Sequence, residues 1–440
     1  MKQDSDVSGS ADRPHRGRAL MAAPLVAIVI MAAACSGGGS TADSAGSTAA
    51  SDEALGSQSF DDTLSPLIVS TIAGDPIPVR GSDDQFHVAY ELSVLNYAPY
   101  PAVITSLETI SPDGAVVTSF TQEQVRTLTM VVPELAIDGA PATGIPPGAT
   151  GLLVLEDVYP DRASVPASVN HRISASFSPL GGIPDPRAGL WPSSVTQTVG
   201  PMAISPDDPV VLGAPLAGDG WLMGNGCCDA LNFHRNVLFP VGGAINGGER
   251  FAIDFTAVKG DMPIGAELTA GIELRPGTDG TANQDYLAYG APVLAVADAT
   301  VVKVVSDVPD TAPSGRPTGE GLTVNTLGGN VVVLRLAPDL FAFYLHLAPD
   351  STTVQVGDEV TKGQVIAQLG NSGNSSEPHL HFQLGTTPQA FSAKNVPYVF
   401  EDFVVNGTLT TKGLRPEPGP GPRQEELPLA YNVIDFPAAP

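Results

Sequence analysis

Glycine and proline punctuate this chain so densely, 47 and 41 in 440 residues, that long helices have almost nowhere to run. What lies between them is short and alternating. Phe86 to Leu95, Val103 to Glu108, Gly151 to Glu156 and His171 to Phe177 each place apolar residues at every second position, the period of a half-buried strand. Farther on, Tyr344-Leu345-His346-Leu347 and His379-Leu380-His381-Phe382-Gln383-Leu384 repeat the pattern, and Asp254 interrupts the apolar run Phe251 to Phe255. A mainly β chain follows, long enough for two domains with their own cores.

Within that pattern the histidines carry chemistry. The chain has seven, and three of them, His346, His379 and His381, fall in the short strands. Residues i and i+2 of a strand share a face, so His379 and His381 converge on one spot. A buried acid in an apolar strand needs a partner, and zinc takes imidazole nitrogen and carboxylate oxygen in a tetrahedral shell that a catalytic site leaves open at one position. Asp254 and His381 suit the shell. His346 and His379 suit proton transfer or the steadying of a developing oxyanion. His87 and His171 stand alone in the amino-terminal half and read as hydrogen-bonded structural residues; His15 belongs to the leader.

Across roughly residues 250–390 these motifs come in an order that resembles the lysostaphin-type or LytM-type zinc endopeptidases. The series is Ala252-Ile253-Asp254, Tyr289-Gly290-Ala291-Pro292-Val293, Gly328-Gly329-Asn330, Tyr344-Leu345-His346, Val356-Gly357-Asp358, Gly370-Asn371-Ser372-Gly373 and His379-Leu380-His381. The resemblance implies a β-rich duplicated hybrid motif with a peptide groove, and cleavage of peptide cross-links in peptidoglycan. It further implies one zinc ion held by Asp254 and His381, with His346 and His379 as catalytic histidines. Biotinyl and lipoyl carrier domains share such Gly-Asp turns, but neither Lys303 nor Lys362 sits in a modification motif.

One position departs from the family. Where a ligand histidine is expected, four residues before the aspartate, stands Arg250, a permanent cation that cannot coordinate metal. His234 is the candidate substitute: a hairpin centred near Ala244 would set it opposite Asp254, whereas a tight turn at Asn246-Gly247 would pair Asp254 with a residue near Phe239. Alternatively Arg250 simply salt-bridges Asp254, since both point to one face, and the domain is a zinc-free module that binds wall peptide or regulates another hydrolase. Cys227-Cys228, just upstream, reads as a structural pair or a vicinal disulfide rather than as metal ligands.

Arg13, Arg16 and Arg18 precede an apolar run, Ala19 to Ala34, that is too short to span a bilayer and ends at Cys35. This resembles a lipoprotein signal peptide with a lipobox, which implies lipidation of Cys35 and anchorage to the outer face of the bacterial cell membrane. A net charge of −26 without a basic stripe argues against nucleic acid as a partner.

The expected organisation is a signal peptide (1–35), a Ser/Gly/Ala tether (36–63), a domain resembling an immunoglobulin-like β-sandwich (64–198), a linker (199–220), a LytM-type domain (221–406) and a Pro-rich tail (407–440) whose apolar stretches dock on that domain. The Gly-, Pro- and Asp-rich insertion from Lys259 to Asp285 is expected to rim the groove.

Overall fold

The computed structural model describes residues 64–132, 144–178, 189–259, 271–315, 323–416 and 418–438. Among them strands dominate. The amino-terminal lobe has two antiparallel sheets: Leu67–Ile72, Phe86–Asn96, Thr150–Tyr159 and Thr129–Val132 in that order, with Val79–Arg80 beside Phe86–Asn96, and Val116–Thr121, Ala102–Ile110, Ser168–Phe177 and Ser194–Ala203. Alternate side chains of both sheets, among them Tyr90, Leu92, Leu107, Leu155 and Ile173, meet in one core. The short helix Gln122–Thr127 begins at a capping box, in which Thr121 and Gln124 satisfy each other's backbone N–H.

In this lobe His171 accepts or donates at Tyr90 Oη (2.9 Å), and burial pushes its pKa down to about 4. His87 bridges Glu156 (2.6 Å) and Asp83 (3.0 Å). Burial would lower the His87 pKa, but the two carboxylates outweigh it and raise it to about 9. A histidine whose folded pKa exceeds its unfolded value of about 6.5 stabilises fully below that value and loses the contribution as pH rises through the folded pKa. The free energy of unfolding, read from denaturant titrations, should therefore fall between pH 6.5 and 9, by about 3 kcal/mol at most from this residue, and His87→Gln should flatten that fall.

The carboxy-terminal lobe is built on a twelve-stranded sheet whose centre runs Gly218–Gly224, Ile253–Ala257, Leu380–Gly385, Leu340–Leu347, Asn330–Ala337 and Ala299–Val305. Ile253, Phe255, Leu380, Phe382 and Tyr344 face its main core. The 199–220 connection holds extended pieces: Ser194–Ala203 crosses its start, Val210–Leu212 pairs with Tyr398–Thr410, and Gly218–Gly224 begins at its end and is central in the sheet. The expected tail also enters the sheet, with Asn432–Phe436 lying between Tyr398–Thr410 and Gly218–Gly224. The cause is its buried Val433, Ile434 and Phe436, enough apolar surface to hold a strand in place.

The lobes belong to one compact unit. Backbone bonds from Ser82 N–H to Leu427 O (3.0 Å) and from Leu427 N–H to Arg80 O (2.9 Å) tie the first lobe to the carboxy-terminal segment.

Candidate metal centre

The site forms on the face of the central sheet opposite the main core. Because Ile253 and Phe255 point into that core, Asp254 between them points the other way. His381 lies directly across from it on Leu380–Gly385, and the His381 Nδ1 to Asp254 Oδ1 distance is 3.0 Å. On the next strand Leu345 pairs with His381, and His346 follows with φ of 60°. That is the left-handed region, strained for a residue with a Cβ and common where surrounding structure over-determines a functional group.

Two loops hold His346 there. Its N–H donates to Gly328 O (2.9 Å), its carbonyl accepts from Gly370 N–H (3.1 Å), and its ring Nδ1 donates to Ser372 O (2.7 Å). The loops interlock at Gly329 and Gly373, both at positive φ. A Cβ on Gly329 would lie 2.4 Å from Ser372, and one on Gly373 would lie 2.3 Å from Gly329 N. Glycine is required by this approach.

His234 reaches the same place by a route other than the expected hairpin. The hairpin is short, Phe239–Val241 with Ala244–Asn246, because Gly242 and Gly243 supply a two-residue turn with both φ positive. Asp254 pairs instead with Gly224 and His381, so neither expected register forms. His234 opens a single 3-10 turn, His234–Asn236, before the hairpin. Its Nε2 nonetheless stands 3.3 Å from Asp254 Oδ2. The expected Arg250–Asp254 salt bridge is absent too: the Arg250 guanidinium turns away to Glu91 of the first lobe, with Nε 3.1 Å from both carboxylate oxygens.

The donor set suits a metal ion. One ligand atom each from His234, Asp254 and His381 lies within 4.8 Å of the others. Each imidazole also has its far nitrogen committed. His234 Nδ1 donates to Ala252 O (3.1 Å), and His381 Nε2 donates to Gln383 Oε1 (2.8 Å), whose own amide donates to Gly248 O (3.0 Å). These bonds leave His234 Nε2 and His381 Nδ1 as the nitrogens turned toward Asp254, the outer-shell arrangement of metal-binding histidines. Asn225 Nδ2 donates to Asp254 Oδ2 (2.8 Å). Two imidazoles and one carboxylate match a three-ligand zinc shell with a free position.

His379 completes the cluster. Its Nδ1 donates to Glu377 O (2.7 Å), and its Nε2 is 3.4 Å from Asp254 Oδ1. Its ring centroid is 4.8 Å from that of His346. Burial would raise the Asp254 pKa, but the charges of His234 and then His379 hold it well below the usual carboxylate range. Burial would lower the His234 pKa, but Asp254 raises it to about 9. Burial, then the charges of His379 and His381, keep His346 well below the ordinary histidine value.

All five residues line a cavity of about 340 Å³ together with Glu249 and an apolar rim of Phe233, Val237, Phe239, Leu327 and Phe391. Phe239 and Phe391 stack edge to face at 5.9 Å. The described part of the Lys259–Asp285 insertion takes no part in this rim. Asn283 Nδ2 donates to Thr311 O (2.9 Å) and its Oδ1 accepts from Asn371 Nδ2 (2.9 Å), so this segment buttresses the 370–373 loop.

Cys227 and Cys228 are joined by a disulfide buried in the main core, outside the His234, Asp254 and His381 cluster. Cys35 lies outside the described residues. The sequence assigned no role to Gln383, Asn225, Ser372 or the aromatic rim. Gln383 had a signal, since it sits two residues past His381 on the same face, and Ser372 lies in the Gly370-Asn371-Ser372-Gly373 motif.

Residues 284–393 match Peptidase family M23. This segment is similar to that family, the lysostaphin/LytM type. The match to the M23 family takes in His346, His379 and His381; Asp254 and His234 precede it and join the site through the fold. Over 79 residues the chain is 37% identical to the peptidoglycan DD-endopeptidase ShyA of Vibrio cholerae, 16% of this chain and 18% of that protein. Over 174 residues it is 27% identical to the glycyl-glycine endopeptidase ALE-1 of Staphylococcus capitis, 39% of this chain and 34% of that one. An uncharacterised metalloprotease of Haemophilus influenzae is 30% identical over 129 residues, 29% of this chain and 22% of that protein. The chain thus spans 18% to 34% of the length of these curated relatives. The catalytic domain of lysostaphin from Staphylococcus simulans is 25% identical, covering 28% of this chain and 81% of that domain with a TM-score of 0.18.

Proposed function

We propose that the M23 lobe is a zinc-dependent endopeptidase that hydrolyses peptide cross-links of peptidoglycan. The observation that carries this is the meeting of His234, Asp254 and His381 beside two further imidazoles in one open cavity. His234 Nε2, an Asp254 oxygen and His381 Nδ1 would hold the ion. When bound, zinc supplies Lewis-acid activation of water and of the peptide carbonyl.

The chain's own groups do the rest. With Nδ1 committed to Ser372 O, His346 has Nε2 free to take a proton from the attacking water and return it to the leaving amine. His379 has Nδ1 committed to Glu377 O, and from Nε2 it donates to the oxyanion that develops on the carbonyl. The Phe233, Phe239 and Phe391 rim receives apolar parts of an extended peptide.

Arg250, which cannot coordinate metal, is the feature that favours a zinc-free binding module; its pairing with Glu91 rather than Asp254 leaves the His234, Asp254 and His381 cluster open to an ion. Purified protein should release new amino groups from isolated wall, and both a chelator and His381→Ala should abolish the release. Wall binding with neither zinc nor release would sink the enzyme proposal.

We further propose that Cys35 is lipidated and tethers the protein to the outer face of the cell membrane, within reach of wall polymer. A fatty-acid probe should label the wild type and leave Cys35→Ser unlabelled; label retained in the variant would refute the anchor.

A further inference from the structure

The arginine at the family's missing ligand position belongs to a buried charge cluster that spans the two lobes. Glu91 comes from the first lobe, on Phe86–Asn96, and is fully buried. It receives the Arg250 guanidinium at both oxygens. Arg235, itself 1% exposed, donates from Nη2 to Glu91 Oε1 (3.4 Å), Tyr90 O (3.3 Å) and Leu155 O (2.8 Å), and from Nη1 to Cys228 O (2.5 Å). Three of these acceptors belong to the first lobe.

What these arginines are attached to matters. Arg235 directly follows His234, on a single turn with no side-chain cap. Arg250 precedes Ala252, whose carbonyl fixes the His234 tautomer, and Asp254 on the adjoining strand. One carboxylate of the first lobe therefore grips both segments that present metal-facing groups of the second. A guanidinium fork holds its partner at a set orientation, and a ligand turn without such a hold would have rotational freedom to lose on binding an ion.

We propose, resting on the metal-site reading above, that Glu91 is a positioning residue for the metal centre. The first lobe, through Glu91, Arg235 and Arg250, sets His234 where a family member would have its own ligand at position 250. The centre is thus completed by both lobes.

The test is metal affinity in the full chain, by chelator competition, with the ligand-field spectrum of the cobalt-substituted protein as the second readout. Glu91→Gln keeps shape but removes the charge. Because it leaves two buried cations, the apolar triple variant Glu91→Met, Arg235→Met, Arg250→Met is measured beside it. In whichever variant folds, by near-UV circular dichroism, the expected result is at least a tenfold loss of zinc affinity and an altered cobalt spectrum. A folded variant with wild-type affinity and spectrum overturns the proposal, as does failure of both variants to fold, which would make Glu91 a determinant of the whole fold. Wild-type protein that holds no zinc overturns the metal-site reading itself, a result distinguishable from either.

Discussion

His234→Ala is expected to lower zinc affinity more than about a hundredfold, beyond the loss that outer-shell partners alone produce, while leaving the fold intact. Its Nε2 is 3.3 Å from Asp254, and neither Arg250 nor Asn225 can take its place. Arg250 is committed to Glu91, and Asn225 offers Asp254 an amide donor. His234 stands on a single turn outside the sheet, so its removal leaves the strand pairing of the sheet in place. His379→Ala should behave differently, keeping the ion while losing about 10² to 10³ in rate, the usual worth of one donor to the oxyanion. Metal analysis of the purified proteins, with chelator titration, separates the two. Stoichiometric zinc retained by His234→Ala would remove that residue from the shell.

A chain ending at Tyr431 is expected to lose cooperative folding. The truncation withdraws Asn432–Phe436 from between two sheet neighbours, and with it Val433, Ile434 and Phe436, exposed by 2%, 0% and 3%. Burial of three such side chains contributes about 5 to 9 kcal/mol, against a total stability of about 5 to 15 kcal/mol for a domain. The missing strand would also leave open edges on Gly218–Gly224 and Tyr398–Thr410. Ile434→Ala, a milder form of the same change, should cost about 2 to 5 kcal/mol. Denaturant unfolding followed by circular dichroism checks both, and a truncated chain with the wild-type midpoint would refute the role given to this strand.

Much of the candidate site is legible in local pattern. The alternation around His379 and His381 places two imidazoles on one face, and the apolar neighbours of Asp254 aim it away from the core. The substitute ligand is legible only as a residue type at hand. His234 sits on an irregular turn with no periodicity to read, and the turn type of the Gly242-Gly243 hairpin rules out the register from which its position was expected. The insertion after Lys259 shows the same limit. Its composition announces loops, but which surface those loops buttress is set by single hydrogen bonds such as Asn371 to Asn283.

Taken by itself, the order of residues determined the strand-rich class, the family of the second lobe and the acid and imidazoles it gathers, because each follows from spacings of two along a strand or from short contiguous motifs. Only the tertiary structure decided that Arg250 faces Glu91, 159 residues away, that His234 closes on Asp254, and that the last strand lies inside the sheet. Those contacts join chain segments whose separation carries no periodic signal, and their register is chosen by burial of charge and apolar surface across the whole fold.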